Sequence, residues 1–166
     1  MFHKIDVKEL KQNVFNEYEN NWMIISAKDP EGKINGMTVS WGALGRFWEK
    51  DTVTAYIRQS RYTKKFIDSQ DYFTISMFDG HKKELGIYGS KSGRDCDKLA
   101  ESGMHLVELD GQPAYEESKC VFVCKKLYHD DIKLDDITDE QRKAYYADGD
   151  FHTMYIGEIT ACYIND

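Results

Sequence analysis

Two short stretches of the chain combine small residues, hydroxyl groups and positive charge. The first, "GIYGSKSGRD", runs from Gly86 to Asp95, and the second, "IRQSRYTKKF", runs from Ile57 to Phe66. Glycine lets the backbone approach a ligand, while hydroxyls, exposed N–H groups and guanidinium groups donate hydrogen bonds to anionic oxygens. Each stretch therefore predicts one wall of a phosphate site. The alternative for the first is an ordinary solvated connection between two helices. The residues concerned are Arg58, Ser60, Arg61, Tyr62, Thr63, Ser90, Lys91, Ser92, Gly93 and Arg94.

The first stretch matches neither of two common phosphate loops. The pattern GxxxxGK[ST] is absent, because Lys91 and Ser92 follow Gly86 and Gly89 at the wrong spacing. The dinucleotide pattern GxGxxG is also absent, and the preceding "HKKELGIY" predicts a helix instead of the strand that this pattern requires. Any phosphate site here is therefore of another kind.

A third stretch, "NGMTVSWGALGRFW", has the composition of a surface for a flat ring. It is apolar and aromatic, contains several glycines and is edged by the hydroxyls of Thr38 and Ser40. The alternative is a core strand followed by a glycine loop. The aromatic residues Trp41, Trp48 and Tyr88 could flank a ring or belong to the core, and for Trp48 and Tyr88 we expect the core.

The elements that must position these residues are mostly strands. Runs rich in β-branched and aromatic residues predict six strands, and they do not alternate with long helices as a parallel sheet would require. We therefore expect a mainly β, antiparallel fold with short helices. The predicted strands are Asn21 to Ala27, Gly36 to Gly42, Asp51 to Arg58, Asp71 to Phe78, Ser118 to Tyr128 and His152 to Ile164.

Helical patterns are fewer and shorter. Asp6 can cap a helix over Val7 to Phe15, and a two-turn helix fits Arg61 to Ser69. In "GRDCDKLAESG", Asp95 and Asp97 lie near the N-terminus of a predicted helix. Gly103 is expected to end this helix. The acidic stretch from Asp130 to Asp150 is weakly helical and predicts a surface excursion.

Length and charge limit the classes of function. With 166 residues we expect one domain over residues 1–166. A formal charge of −7 argues against binding nucleic acid or an anionic membrane surface, although charge-assisted hydrogen bonds of roughly 1.5–3 kcal/mol each could still hold one phosphate dianion. No run approaches the roughly 20 apolar residues of a spanning helix, and the start of the chain lacks the apolar core of a secretion signal. We therefore expect a cytoplasmic protein.

Cysteine and histidine spacing indicates no metal site. The four cysteines form no CxxC pair, and His81, His105 and His129 show no ligand spacing with carboxylates. We expect reduced thiols and no bound metal. Cys120 and Cys124 lie four apart on a predicted strand, share one face and are expected to be core residues.

Taken in order, "MTVSWG", "RQSRYT", "YGSKSGRD" and "FHTMYIGEI" resemble the flavin reductase-like family, whose members bind FMN in a split β-barrel. The resemblance covers the chain from about Trp22 to Ile164. It implies an FMN-binding split β-barrel, antiparallel and of Greek-key type, with short flanking helices. It also implies a homodimer whose flavin sites lie near the subunit interface.

The resemblance further implies which residues contact the cofactor. Thr38, Val39, Ser40 and Trp41 would lie along the isoalloxazine, with backbone N–H groups from Val39 to Gly42 facing its polar edge. The segments Arg58 to Thr63 and Ser90 to Gly93 would contact the phosphate side. His152 matches a position often near the flavin or nicotinamide, and its alternative is a structural hydrogen-bonding histidine.

These implications favour an FMN-dependent oxidoreductase that transfers a hydride from NADH or NADPH to flavin. In such a protein the cofactors supply the chemistry, which explains why no catalytic acid–base pair stands out. One alternative is an FMN-carrying electron-transfer protein, similar to flavoredoxin, that passes electrons to an acceptor protein. Another is a non-redox module that binds a phosphorylated small molecule.

Overall fold

The computed structural model describes residues 1–165, in which β-strand is the commonest regular structure. All six predicted strands are present, and their bounds lie within three residues of those expected. Four further strands were not predicted: Phe2–Ile5, Gly42–Phe47, Leu106–Leu109 and Gln112–Tyr115. The strands are β1 (Phe2–Ile5), β2 (Met23–Lys28), β3 (Ile34–Val39), β4 (Gly42–Phe47), β5 (Lys50–Arg58), β6 (Tyr72–Met77), β7 (Leu106–Leu109), β8 (Gln112–Tyr115), β9 (Cys120–Asp131) and β10 (His152–Asn165).

Eight strands form one sheet in which every pairing is antiparallel. The order is β3-β2-β6-β9-β10-β5-β4, and β1 adds to β10. The strands β7 and β8 form a separate hairpin. The prediction of a mainly β, antiparallel fold is thereby confirmed.

The third predicted stretch contains two strands where the sequence suggested one strand and a glycine loop. After β3 ends at Val39, β4 begins at Gly42 and pairs with β5 through a hairpin whose turn residues, Trp48 and Glu49, both have positive φ angles of 49° and 60°. The turn exposes Trp48, which is 60% accessible and packs against Phe47 with the ring planes tilted by 31° and 4.2 Å between ring centroids. The expectation that Trp48 belongs to the core is therefore wrong.

The helices are short, as expected. The predicted helix from Val7 to Phe15 is wrong: Asp6 and Glu9 close a capping box over a single 3-10 turn, and Leu10 is already extended. Helical structure resumes only at Val14, after the N-cap residue Asn13. The helices are α1 (Val14–Asn16), which continues as a π-helical turn (Glu17–Asn21), α2 (Thr63–Asp68), α3 (Lys82–Ser90), α4 (Lys98–Ser102) and α5 (Asp139–Tyr145).

Two groups of buried apolar side chains hold these elements together. The larger group fills the interior of the eight-stranded sheet and includes Cys120, Cys124 and Cys162, all reduced, so the core prediction for Cys120 and Cys124 is confirmed. The smaller group packs α3 against the β7–β8 hairpin and includes Tyr88 and Tyr115. Tyr88 is 2% exposed, as predicted for a core residue. This second group fixes the C-terminal end of α3, where the candidate site begins.

Two peripheral features complete the fold. The acidic stretch lies at the surface and contains a 3-10 turn (Leu134–Asp136) and α5, which agrees with the predicted excursion. Within residues 1–165, no helix has the length and apolar character needed to cross a membrane.

Candidate functional site

The two predicted phosphate stretches meet in one small cleft of about 140 Å³, which we call the polar cleft. One wall is the segment between β5 and α2, and the other is the C-terminal end of α3 with the turn that follows it. Most of the lining residues carry a hydroxyl, guanidinium or ammonium group. The lining residues are Ser60, Arg61, Tyr62, Thr63, Gly89, Ser90, Lys91, Ser92, Arg94 and Lys98.

Arg61 joins the two walls of the polar cleft. Its Nη1 donates to the carbonyl oxygen of Gly89 at 2.8 Å, and its Nη2 donates to that of Tyr88 at 3.0 Å. These carbonyls belong to the last turn of α3, where helical oxygens lack partners within the helix and carry partial negative charge. Burial lowers the pKa of Arg61, and the nearby charge of Asp150 opposes that shift. Arg61 therefore remains a partly desolvated cation at the cleft.

Gly93 allows the turn after α3 to approach β3 closely. A Cβ atom at this position would lie 2.2 Å from Oδ1 of Asn35 and 3.2 Å from the ring of Tyr62. Asn35 is itself fixed, because its amide nitrogen donates to the hydroxyl of Thr63 at 2.7 Å. The Thr63 hydroxyl is thus buried, and its oxygen is an acceptor within the protein, although the residue lines the polar cleft.

The serine and lysine side chains from the turn after α3 are engaged to different degrees. The Ser90 hydroxyl donates to the carbonyl of Gly86 at 2.8 Å, and Lys91 forms an ion pair with Glu101. The Ser92 hydroxyl oxygen accepts from the backbone N–H of Arg94 at 3.2 Å, which leaves its own proton available. Among these side chains, Ser92 is the best-placed hydroxyl donor for a ligand.

Tyr62 lies at the rim among cations. Arg94 and Lys65 lie over its ring at 4.7 Å and 4.3 Å from the centroid, and Lys33 approaches its hydroxyl at 3.4 Å. Lys65 and Lys33 lower the pKa of this phenol. Arg94 also donates to the carbonyl of Ser60 at 3.2 Å, so the rim itself is positively charged.

A second cleft of about 270 Å³, which we call the flat cleft, lies on the other side of Arg61. It is formed where β3 ends, beside the last residues of β5 and the first of β10. Ser40 and Trp41 lie between β3 and β4, outside the ladder of either strand, so their backbone N–H groups face no sheet partner. The lining residues are Met37, Thr38, Val39, Ser40, Trp41, Tyr56, Arg58, Arg61 and His152.

The Thr38 side chain ties the floor of the flat cleft to α3. Its hydroxyl donates to the carbonyl of Leu85 at 2.5 Å. A Cβ atom at Gly89 would lie 3.5 Å from that of Thr38, so strand and helix are in van der Waals contact there. The two clefts therefore share a rigid boundary made by β3, α3 and Arg61.

His152 and Trp41 form the aromatic edge of the flat cleft. Their ring centroids are 5.2 Å apart, and Nδ1 of His152 is 2.8 Å from the hydroxyl of Tyr146. Burial, with a smaller contribution from the charge of Arg58, lowers the pKa of His152 to about 4. The imidazole is consequently neutral at pH 7. Trp41 remains 44% exposed and packs edge-on against Tyr145 at 5.2 Å.

Arg58 and Ser60 interact with the acidic surface stretch from Asp130 to Asp150, which we call the acidic excursion. The Arg58 guanidinium donates to the carbonyl oxygens of Asp150 and Tyr145 at 2.7 Å and 2.9 Å. The backbone N–H and the hydroxyl of Ser60 donate to the Asp150 carboxylate at 3.0 Å and 2.6 Å. Arg58 lines the flat cleft, whereas its predicted place was the phosphate side. Its interactions with the excursion could not be read from a local motif.

Lys98 is a lining residue that the sequence stretches did not suggest. It is the first residue of α4, it is 5% exposed, and its ammonium donates to the carbonyl oxygens of Gly36 and Tyr88 at 3.0 Å and 3.2 Å. The Asp97 N-cap correctly indicated where this helix begins, and Gly103 correctly indicated its end. The burial of Lys98 depends on β3 and α3, which a sequence pattern of α4 alone does not contain.

Comparison with known proteins identifies a family and a fold. Residues 15–166 match the model of the flavin reductase like domain. No curated protein sequence matches the chain. The solved structures discussed next are less than 20% identical to the chain, so they bear on fold alone.

Three solved structures illustrate the similarity. An FMN-binding domain of a flavin reductases-like enzyme from Shewanella baltica OS155 has a TM-score of 0.69 and 17% identity, covering 99% of this chain and 77% of that one. Flavoredoxin of Desulfovibrio vulgaris (Miyazaki F) has a TM-score of 0.68 and 19% identity, with coverages of 95% and 78%. The styrene monooxygenase flavin reductase from Pseudomonas putida S12 has a TM-score of 0.63 and 17% identity, with coverages of 88% and 80%. The split-barrel fold expected from the sequence is confirmed.

Proposed function

Because the chain belongs to the flavin reductase-like family, we propose that it binds FMN across the two clefts and transfers a hydride from NADH or NADPH to flavin. The observation that carries the proposal is the position of Arg61, which lines both clefts. A ligand that extends past this residue would have a flat portion on one side and an anionic portion on the other. FMN combines these two properties in one molecule.

The donor set of the polar cleft fits a phosphate. Arg61 and Lys98 supply positive charge, and the Ser92 hydroxyl keeps its proton for a ligand. The flat cleft offers Trp41, Thr38 and the backbone of Ser40 and Trp41, which lies between β3 and β4. Aromatic and apolar walls with a few convergent polar groups are typical of sites for planar ligands.

The protein's own residues then position the reactants and exclude water. Bound flavin would supply the acceptor for the nicotinamide hydride. Thr38 and Arg61 fix the boundary between the clefts through their bonds to α3. His152 is neutral at pH 7 and is held by Tyr146, so we propose that it orients Trp41 and acts as a polar contact, not as a proton donor.

We also propose that the protein acts as a homodimer. A groove of about 730 Å³ runs from Phe15 to Trp41 and shares Ser40 and Trp41 with the flat cleft. Phe15 is 85% exposed, which is unusual for a large apolar side chain and supports a second subunit there. Sedimentation should give a dimer for the wild type and a monomer for Phe15→Glu. A monomeric wild type would contradict the homodimer.

The first experiment is an absorption spectrum of the protein after incubation with FMN and desalting, recorded without oxygen before and after NADH or NADPH. A retained flavin spectrum that bleaches supports the reductase. A retained spectrum that does not bleach contradicts it and favours the electron carrier. If no flavin is retained, oxidation of NADH or NADPH in the presence of free FMN supports a reductase that uses flavin as a substrate, and no oxidation contradicts the proposal.

A further inference from the structure

A further cavity of about 430 Å³, which we call the edge pocket, lies along the first residues of β3. One wall runs from Lys33 to Gly36, and β3 is the last strand on its side of the sheet. The opposite walls come from α4 with the turn before it and from the β7–β8 hairpin. Because pockets for small organic ligands commonly measure about 300–1,000 Å³, the edge pocket has room for a ligand with one or two rings.

The walls of the edge pocket are largely apolar. Leu99 on α4 and Leu106 on β7 line it and pack against the smaller group of buried apolar side chains. Tyr115 also lines it and is held in place, since its hydroxyl lies 3.1 Å from that of Ser26. Ile34, at the start of β3, is 36% exposed. These side chains favour a ligand with an apolar or aromatic body.

Lys98 supplies a buried cation to the edge pocket. Its ammonium donates to the carbonyl oxygens of Gly36 and Tyr88, and both of these residues line the pocket. Since an ammonium group has three N–H donors, one donor is left over. Burial, and next the charge of Arg61, lowers the pKa of Lys98 to about 8, so most of the side chain is charged at pH 7. Carbonyl dipoles compensate a buried charge only in part.

The other ionisable groups in the lining leave the edge pocket with an excess of positive charge. Lys33 adds a second ammonium. Asp97 is the one described carboxylate in the lining, and it accepts from two backbone N–H groups in the first turn of α4. Burial raises the pKa of Cys96, Tyr88 and Tyr115, which carry no charge at pH 7. This balance favours an anionic ligand.

An apolar cavity with one partly compensated cation suits a ligand that has an aromatic ring and a single negative charge. We propose that the edge pocket binds an aromatic carboxylate, with the carboxylate on Lys98 and the ring between Leu99 and Leu106. Lys98 is the one described residue that lines both the edge pocket and the polar cleft, so the two sites can be filled together. The edge pocket is thus a second ligand site, separate from the proposed flavin site.

The test compares 2-naphthoate with its neutral analogue 2-naphthamide by isothermal titration calorimetry. The wild type should bind one naphthoate per chain and prefer it to the amide by about tenfold or more. Lys98→Met keeps the apolar stem and should remove this preference. Lys83→Met, at an exposed position of α3, is the matched control and should retain it. Absence of naphthoate binding, or an unchanged preference in Lys98→Met, would overturn the proposal.

A second pair of variants keeps the test decisive if Lys98→Met does not fold. Ile34→Glu and Ile34→Gln differ by one charge at a partly exposed position that lines the edge pocket. At low salt, Ile34→Glu should bind naphthoate about threefold or more weakly than Ile34→Gln, because the two carboxylates repel each other. Naphthamide should bind both variants alike. Equal affinities of the two variants for naphthoate would contradict the proposal.

Addition of FMN distinguishes the edge pocket from the flavin site. With FMN at saturation, naphthoate should still bind within about tenfold of its affinity without FMN, because only the charge of Lys98 is common to both sites. Complete displacement by FMN would place naphthoate in the flat cleft and overturn the proposal. Naphthoate binding without FMN binding would uphold the edge pocket and contradict FMN binding across the two clefts. FMN binding without naphthoate binding would do the reverse.

Discussion

The polar cleft and the flat cleft meet at Arg61 but differ in how the protein compensates charge. Around the flat cleft, the acidic excursion binds the Arg58 guanidinium through two backbone carbonyls, with the Asp148 and Asp150 carboxylates 4.0 Å away, and the imidazole of His152 is uncharged. Around the polar cleft, Arg61 and Lys98 have only carbonyl partners among the described residues. The difference shows that local positive charge is kept available at one place in a chain whose net charge is −7.

This contrast is set by elements far apart in the sequence. Arg58 and Arg61 leave the same end of β5, three residues apart. The first turns towards Tyr145 and Asp150, about 90 residues away, and the second turns towards α3. Which arginine stays available to an anion is therefore decided by tertiary packing. The predictions below address this division, from the largest expected effect to the smallest.

The largest effect is expected from removing Arg61. Arg61→Ala should weaken FMN binding by about 2 kcal/mol, or roughly 30-fold, because a charge-assisted contact to the phosphate is lost. Arg58→Ala should have a much smaller effect, since its guanidinium is already bound to two backbone carbonyls. Isothermal titration calorimetry on both variants measures the difference. Equal losses would mean that the two arginines are equivalent for the ligand, and unchanged affinity in Arg61→Ala would remove it from the site.

The next effect concerns the shape of the polar cleft. Gly93→Ala should lower the free energy of unfolding by about 1–3 kcal/mol, because the new Cβ would meet Oδ1 of Asn35, which Thr63 holds in place. Gly86→Ala is the matched control in the same stretch. No atom lies within 4 Å of a Cβ there, and replacing a helical glycine should raise stability by about 0.5–1 kcal/mol. Urea unfolding tests both, and a neutral Gly93→Ala would show that the turn after α3 can move away from β3.

The loss of stability at acid pH should depend on His152, which lines the flat cleft. The pKa of His152 is about 4 in the folded protein and near 6.5 when unfolded, so the unfolded state binds the proton first as the pH falls. The contribution of neutral, buried His152 to the free energy of unfolding is therefore lost as the pH falls from about 6.5 to about 4. His152→Gln should lose less stability over that range than the wild type, whereas His129→Gln should behave like the wild type. Identical acid sensitivity in all three proteins would argue that the burial of His152 does not suppress its charge.

Much of the fold could be predicted from local patterns. The six strands predicted from β-branched and aromatic runs are present, and the ends of α4 follow from Asp97 and Gly103. The strand β4 was missed because its hairpin turns through Trp48 and Glu49, which are not residues that favour positive φ. The β7–β8 hairpin did carry a signal, the Asp110-Gly111 pair at its turn, and both residues have positive φ.

The site was less predictable than the fold for a physical reason. Residue types indicated which stretches could contact a phosphate, and the structure places those stretches in one cleft. Whether a given side chain is available depends on its partners, and those partners come from distant elements. Thr63 is engaged by Asn35, Lys91 by Glu101 and Ser60 by Asp150. Lys98 was overlooked because a lysine next to a helix cap normally faces solvent, and only packing against β3 and α3 buries it.

The smallest effect tests whether the acidic excursion limits anion binding. The Asp150 carboxylate accepts two hydrogen bonds from Ser60, a residue that lines the polar cleft, and its charge acts on Arg61. Asp150→Asn should therefore tighten FMN binding by roughly two- to fivefold at low salt without changing riboflavin binding, and the gain should fall as salt is added.

Asp148→Asn is the matched control for this change. Asp148 lies 4.0 Å from Arg58, and its side chain is 70% exposed. Removing its charge should alter FMN binding by less than Asp150→Asn does, because exposed pairs contribute little. If Asp150→Asn instead weakens FMN, the carboxylate serves to hold Ser60 in a binding geometry. The excursion would then help to position residues of the polar cleft. The two clefts would differ in which elements hold their side chains in place, as well as in charge.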